Sequence, residues 1–184
     1  MDSEKQTVAI FIDGGNFYRK LKATKLLVKG KRFDYNLFAD FLIQKRKLHK
    51  KSYYIGIVRD YDKSEKSEKM VKSQQKFLSG LENAGYTIKR GKIVYDAPIR
   101  EKGVDVQIAI DLVIECAENN YDIAIVVSSD TDLIPAIKYI AVKKRIVEYV
   151  GFSAAPSLGM IKESDKTILL TDEQVKSFIV DQPM

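Results

Sequence analysis

Short apolar runs alternate along the chain with segments of helical period. Residues 8–12 are apolar at every position and end in Asp13-Gly14-Gly15, which predicts a strand buried on both faces of a parallel sheet. Residues 53–58 and 121–127 read the same way, and 146–150 and 168–170 as further strands. Residues 86–88 and 92–95 are short strand pieces around Gly91. Between them, residues 16–25 predict a helix followed by a basic loop through Gly30. Residues 35–44 carry apolar side chains at 35, 37, 38, 41 and 42, a helical spacing with Asp34 as N-cap. Residues 64–83 predict a long polar helix, apolar at 70, 71, 77, 78 and 81 and closed by Gly85. Helices follow at 104–118, at 133–143 and from Asp172. The alternation places the chain in the α/β class with a mainly parallel sheet. One domain over residues 1–184 is expected, its core about 7–160, with the last strand and helix as a C-terminal extension.

Composition narrows the function classes. No apolar run is long enough to span a bilayer, and residues 1–7 are polar without a signal-peptide core, so a cytoplasmic protein without a membrane partner is expected. Cys116 is the one cysteine, which excludes an intramolecular disulfide or a cysteine-cluster zinc site. The single histidine, His49, sits in a lysine-rich stretch and reads as a solvated surface residue. The net charge of +6 favours polyanionic partners. One basic cluster comprises Arg19, Lys20, Lys22, Lys25, Lys29, Lys31 and Arg32. The second, Lys45, Arg46, Lys47, Lys50 and Lys51, is expected to form a solvated face.

The carboxylates change the picture most. In an open parallel sheet, ligands bind outside the carboxyl ends of the strands, where strand order reverses. Two predicted strands lead into aspartate at that edge: the first into Asp13, the third into Ser128-Ser129-Asp130, with Asp132 two residues on. If the two strands are neighbours, these acids converge, and ionised carboxylates crowded together need a counter-charge. All-oxygen ligands suit Mg²⁺ or Mn²⁺. Asp105 opens the helix from 104, and at ~100° per residue its direction matches Ile108, Leu112 and Cys116. Gln107, Asp111, Glu115 and Glu118 fall on the opposite side, expected to face water. Each acid also has a plain alternative: Asp13 and Asp130 as turn residues, Asp105 and Asp132 as helix caps.

Three blocks together resemble a known group. They are Ile12-Asp13-Gly14-Gly15-Asn16-Phe17, Lys102-Gly103-Val104-Asp105 with Asp111 following, and Ser128-Ser129-Asp130-Thr131-Asp132-Leu133. They look like the NYN domain of the LabA-like group, in the PIN-like nuclease superfamily, and the likeness runs from about residue 7 to 160. The resemblance implies a three-layer α/β/α sandwich and cleavage of RNA phosphodiesters with Mg²⁺ or Mn²⁺. Its acidic metal positions match Asp13, Asp105, Asp130 and Asp132, and its asparagine matches Asn16, expected to orient Asp13 or a metal-bound water. Its second helical acid matches Asp111, a secondary candidate because the helical wheel turns it outward. Where many relatives carry glycine, this chain has Ser129 and Thr131, whose hydroxyls are candidates to bind phosphate or narrow the pocket.

Substrate positioning is then expected from Arg19, Lys20 and Lys22 on the helix after Asp13, and from Lys102, with Arg59 a weaker candidate. Tyr18 is placed either to stack on an unpaired base or to pack on the sheet edge. RNA is the leading partner, with DNA as an alternative. Two other readings stay open: a non-catalytic RNA- or protein-binding module of the same fold, and a metal-dependent phosphatase acting on small molecules.

Overall fold

The computed structural model describes residues 6–95 and 100–182; most of the polar N-terminal stretch, residues 1–5, lies outside them. Seven strands form the main sheet: β1 Thr7–Asp13, β3 Lys47–Ile57, β4 Thr87–Val94, β5 Arg100–Lys102, β6 Ile123–Val127, β7 Ile146–Phe152 and β8 Lys166–Leu170. Their spatial order is β5-β4-β3-β1-β6-β7-β8. All neighbours are parallel except β4 and β5. Two short strands, β2 Lys31–Phe33 and β9 Ile179–Asp181, pair apart from this sheet.

The helices are α1 Gly14–Ala23, α2 Tyr35–Ile43, α3 Glu65–Asn83, α4 Val104–Ala117, α5 Ile134–Val142, α6 Leu158–Glu163 and α7 Asp172–Ser177. They cover both faces, giving three layers. On one face Val8, Ile10 and Ile12 meet Phe17 and Leu21 of α1, Phe38 and Leu42 of α2, and Leu78 and Leu81 of α3. On the other, Ala9 and Phe11 meet Ile108 and Leu112 of α4, Ile137 and Ile140 of α5, and Met160 of α6. Successive strand residues point to opposite faces, so burial on both sides requires an uninterrupted apolar run. Among the described residues no helix is long and apolar enough to cross a membrane.

The chain turns from β1 toward β3 and β4, and then crosses back through α4 to β6 on the other side of β1. Strand order therefore reverses between β1 and β6, and a crevice opens above their carboxyl ends.

Several elements differ from the sequence expectation. The two strand pieces around Gly91 are one strand, β4, and the antiparallel β5 follows it. The second parallel strand begins at Lys47, so the second basic cluster runs into a strand rather than a uniformly solvated face. Arg46 is buried: its guanidinium binds both Glu148 oxygens (2.7 and 3.1 Å) and the carbonyls of Leu42 and Ile43. Lys50 pairs with Glu115 at 2.6 Å. His49, expected to be merely solvated, also contacts Glu115, at 3.2 Å.

Candidate functional site

Asp13 ends β1 and is 4% exposed. Its Oδ1 caps α1 by accepting the Asn16 N–H at 2.9 Å. Its Oδ2 accepts the Ser128 hydroxyl, also at 2.9 Å. Ser128 directly follows β6 and its oxygen in turn accepts the Asp130 N–H at 3.2 Å. The Asn16 side-chain oxygen accepts the Ser129 N–H at 3.2 Å. Two hydrogen bonds, from Ser128 to Asp13 and from Ser129 to Asn16, thus tie the loop after β1 to the loop after β6. The Asn16 backbone N–H bonds Asp13, while the Asn16 side chain holds the neighbouring loop.

Asp130 Oδ1 accepts the Asp132 N–H at 2.9 Å and caps a 3₁₀ turn, Thr131–Leu133, that leads into α5. Asp130 is therefore the capping residue, and Asp132 is an exposed residue within the turn. Gly103 precedes α4 as its cap, which leaves Asp105 in the first turn, half-buried.

Asp105 lies within electrostatic reach of the other three acids. Burial is the largest influence on Asp105 and raises its pKa, and the charges of Asp13, Asp130 and Asp132 each raise it further. Burial also pushes the Asp13 carboxyl above its ordinary value. The Asn16 amide, the Ser128 hydroxyl and the Arg19 charge act the other way, while Glu101 adds to the rise.

Glu101 is a fifth carboxylate that sequence reasoning missed. It lies on β5 and accepts a hydrogen bond from the Gly56 N–H near the end of β3. A Cβ on Gly15 would fall 2.5 Å from one of its oxygens, and one on Gly56 2.7 Å from the other. The two glycines form the notch that admits it. Burial first, then the Asp105 charge, raise its pKa. Ser128 was visible in the third block but carried no assigned role; its burial beside Asp13 supplies one.

Asp111 corrects the helical wheel. It is buried, accepting the Tyr54 hydroxyl at 2.9 Å and the Gln107 amide at 2.8 Å, with Lys89 at 3.1 Å. The polar side of α4 faces Lys89 and Lys50 from β4 and β3, whereas Val106, Ile110 and Ile114 face solvent. Asp111 ties α4 to the sheet through Tyr54 and Lys89.

The expected cations and hydroxyls divide. Arg19 acts electrostatically on both Asp13 and Glu101, and its Nε donates to the Gly15 carbonyl at 3.3 Å. Lys22 and Lys102 are exposed, as is Arg59. Lys20 instead donates to the Ala155 carbonyl at 3.0 Å. Ser129 shares its hydroxyl with Tyr149 at 3.0 Å. Thr131 is exposed, with its methyl toward Gly159. Tyr18 is 52% exposed, so its ring is not packed away on the sheet edge.

Among the described residues, no three of His, Cys, Asp or Glu form a ready-made cation cage. The donor chemistry nonetheless fits a hard divalent ion. The set is all oxygen, its members repel one another, and one of them is buried. Closing it around an ion calls for side-chain rotation or bridging water.

A family model described as NYN domain matches residues 7–171. Among solved structures, the crystal structure of a protein of unknown function from Vibrio parahaemolyticus is similar with a TM-score of 0.70. The likeness covers 98% of this chain and 99% of that one at 20% identity, and it speaks to the fold. No curated protein matches the chain.

Proposed function

The chain belongs to the NYN domain family of PIN-like nucleases, and from that premise we propose that it is a metal-dependent ribonuclease of the LabA-like branch, acting in the cytoplasm. The observation that carries the reading is the placement of Asp13 and Asp130, joined through Ser128, at the strand-order reversal, with Asp105 within electrostatic reach of both and of Asp132. These four aspartates would hold the Mg²⁺ or Mn²⁺. When bound, the ion would polarise the phosphodiester and lower the pKa of the attacking water.

The residues of the chain set the geometry. Ser128 and the Asn16 amide hold one Asp13 oxygen each, so the carboxylate has a single orientation. Ser128 also fixes the Asp130 backbone, so the two acids move as one unit. Arg19 offsets part of the negative charge and, with the exposed Lys22 and Lys102, offers phosphate contacts that position a strand without reading its sequence. His49 lies beside Glu115 on the flank of α4, away from this set, and takes no part.

The test is cleavage of labelled single-stranded and structured RNA with Mg²⁺, Mn²⁺ or EDTA, with Asp13→Asn and Asp130→Asn alongside. Metal-dependent cutting lost in both variants is expected. Cutting that survives EDTA and Asp13→Asn refutes the metal site. Binding without cutting favours the non-catalytic module, and hydrolysis of a phosphomonoester without RNA cleavage favours the phosphatase.

A further inference from the structure

Beside the acidic site runs a groove of about 770 Å³ between α1 and α3, with the end of β3 as its floor. It begins at Gly14 and Gly15, the two residues after Asp13, and so adjoins the carboxylate cluster, whose Glu101 and Asp13 oxygens lie against Gly15. Its lining is unusual for a protein surface. Tyr18 is 52% exposed, Met70 49% and Phe77 37%. Positions 70 and 77 fit the apolar spacing of α3, yet Leu78 and Leu81 supply the buried contact of this helix and leave Met70 and Phe77 facing the groove.

The walls are braced. The Gln74 side chain accepts the Val58 N–H at 2.8 Å and donates to the Gly56 carbonyl at 2.9 Å, which clamps α3 to the end of β3. Phe77 packs against the rings of Tyr35 and Tyr53, each with its centroid 5.7 Å away. On the rim, Lys69 pairs with Glu65, and Lys66 adds a positive charge.

We infer that this groove receives an unpaired base of single-stranded RNA next to the phosphate held at the acidic site. The inference rests on the ribonuclease reading for its direction along the strand. Three features point to a base. Exposed aromatic rings offer a stacking surface that accepts any base. The volume lies in the range of about 300–1,000 Å³ that encloses a small organic ligand. Arg19 and Lys66 supply positive charge on either side, suited to the flanking phosphates. A base paired inside a duplex cannot enter, so the groove selects single strands.

Binding is measured by fluorescence anisotropy of a labelled twelve-nucleotide RNA in EDTA, where cleavage does not interfere. The same sequence as a blunt duplex and as single-stranded DNA is run beside it. Tyr18→Ala and Ser73→Leu are compared with wild type; the first removes a stacking ring and the second fills the groove without adding a ring. Both positions are at the surface, and matched thermal unfolding checks that each variant folds. The single strand is expected to bind at least tenfold tighter than the duplex, and each variant to lose about tenfold for the single strand only. An RNA with one abasic position is expected to lose affinity for wild type and not for Tyr18→Ala. Single-stranded DNA binding as tightly as RNA also supports the groove, because stacking does not read the 2′-hydroxyl. Equal binding of single strand and duplex, or both variants binding like wild type, overturns it. Selective binding without metal-dependent cleavage leaves the groove standing and refutes the nuclease reading alone.

Discussion

Replacing Asp13 by asparagine separates the cost of the buried charge from its use. The side chain keeps its shape. Its carbonyl oxygen can accept the Asn16 N–H, and its amide can donate to Ser128, whose hydroxyl both accepts and donates. Hydrogen bonds to a charged acceptor contribute about 1.5–3 kcal/mol against about 0.5–1.5 for neutral ones, so two weakened bonds cost about 2 kcal/mol together. Opposing this is the relief of burying a carboxylate beside other acids. The raised Asp13 pKa is the net of both effects, and its direction says that folding disfavours the ionised form relative to the unfolded chain when no metal is bound. Asparagine resembles the protonated form, so the metal-free variant should be at least as stable as wild type at pH 7. With metal the order reverses. At a concentration a hundredfold above Kd, a bound ion stabilises wild type by about 2.7 kcal/mol. For a chain of this size that is roughly 5–11 °C in Tm. Thermal unfolding with EDTA and with a Mn²⁺ series measures both terms. Asp13, Glu101 and Asp105 titrate higher in the folded chain than in the unfolded one. The folded protein therefore holds more protons from about pH 4 up to those raised values, and metal-free stability falls as pH rises through this window. Protons compete with metal in the same window, so the Mn²⁺ shift should shrink as pH falls. An Asp13→Asn protein that keeps the full Mn²⁺ shift, or is more than about 2 kcal/mol less stable than wild type in EDTA, refutes the reasoning.

Three further outcomes are expected. Arg46→Met strands Glu148 in the core with, among the described residues, Lys166 at 3.3 Å as its remaining cation, and should lower unfolding free energy by about 3–5 kcal/mol in denaturant titration. Adding Glu148→Met should recover most of that loss; an unchanged midpoint for the single variant contradicts the assignment. Gly14→Ala drives a methyl into the buried Tyr53 ring, whose hydroxyl lies 3.3 Å from that of Tyr35, and should cost about 1–3 kcal/mol while weakening the Mn²⁺ shift. Wild-type stability and metal response would show that the ring yields freely. Ser128→Ala removes the donor to Asp13 and the acceptor for the Asp130 N–H, and should cost about 1–3 kcal/mol, read from the same titrations.

The strands buried on both faces were legible because each needs apolar residues at every position, as residues 8–12 have. Asp34 announced its helix and acts as its side-chain cap; Ser64, read as the first residue of its helix, proves to be a side-chain cap as well. The three-residue strands were not legible. Lys31 pairs with Asp181 across most of the chain, and no local pattern encodes that partner. Glu101 stayed hidden for the same reason, since its place in the site depends on β5 folding back along β4. The wheel separated the polar and apolar sides of α4 correctly. It could not tell water from a protein surface carrying Lys50 and Lys89, and so sent Asp111 outward. The aspartates themselves were readable one by one. Their meeting depends on β1 lying beside β6, which is a property of strand order.

The acids at this edge are not anchored alike. Asp13 sits on the central strand, held on both sides by β3 and β6. Glu101 hangs from β5, an outermost strand of three residues with β4 as its neighbour in the sheet. Short edge segments open at a lower free energy than central strands. The negative potential felt at Asp13 is accordingly a time average over opening of the edge, with a constant part from the other aspartates and an intermittent part from Glu101. Hydrogen exchange at the Gly56 amide, which Glu101 protects, reports the duty cycle of that intermittent part.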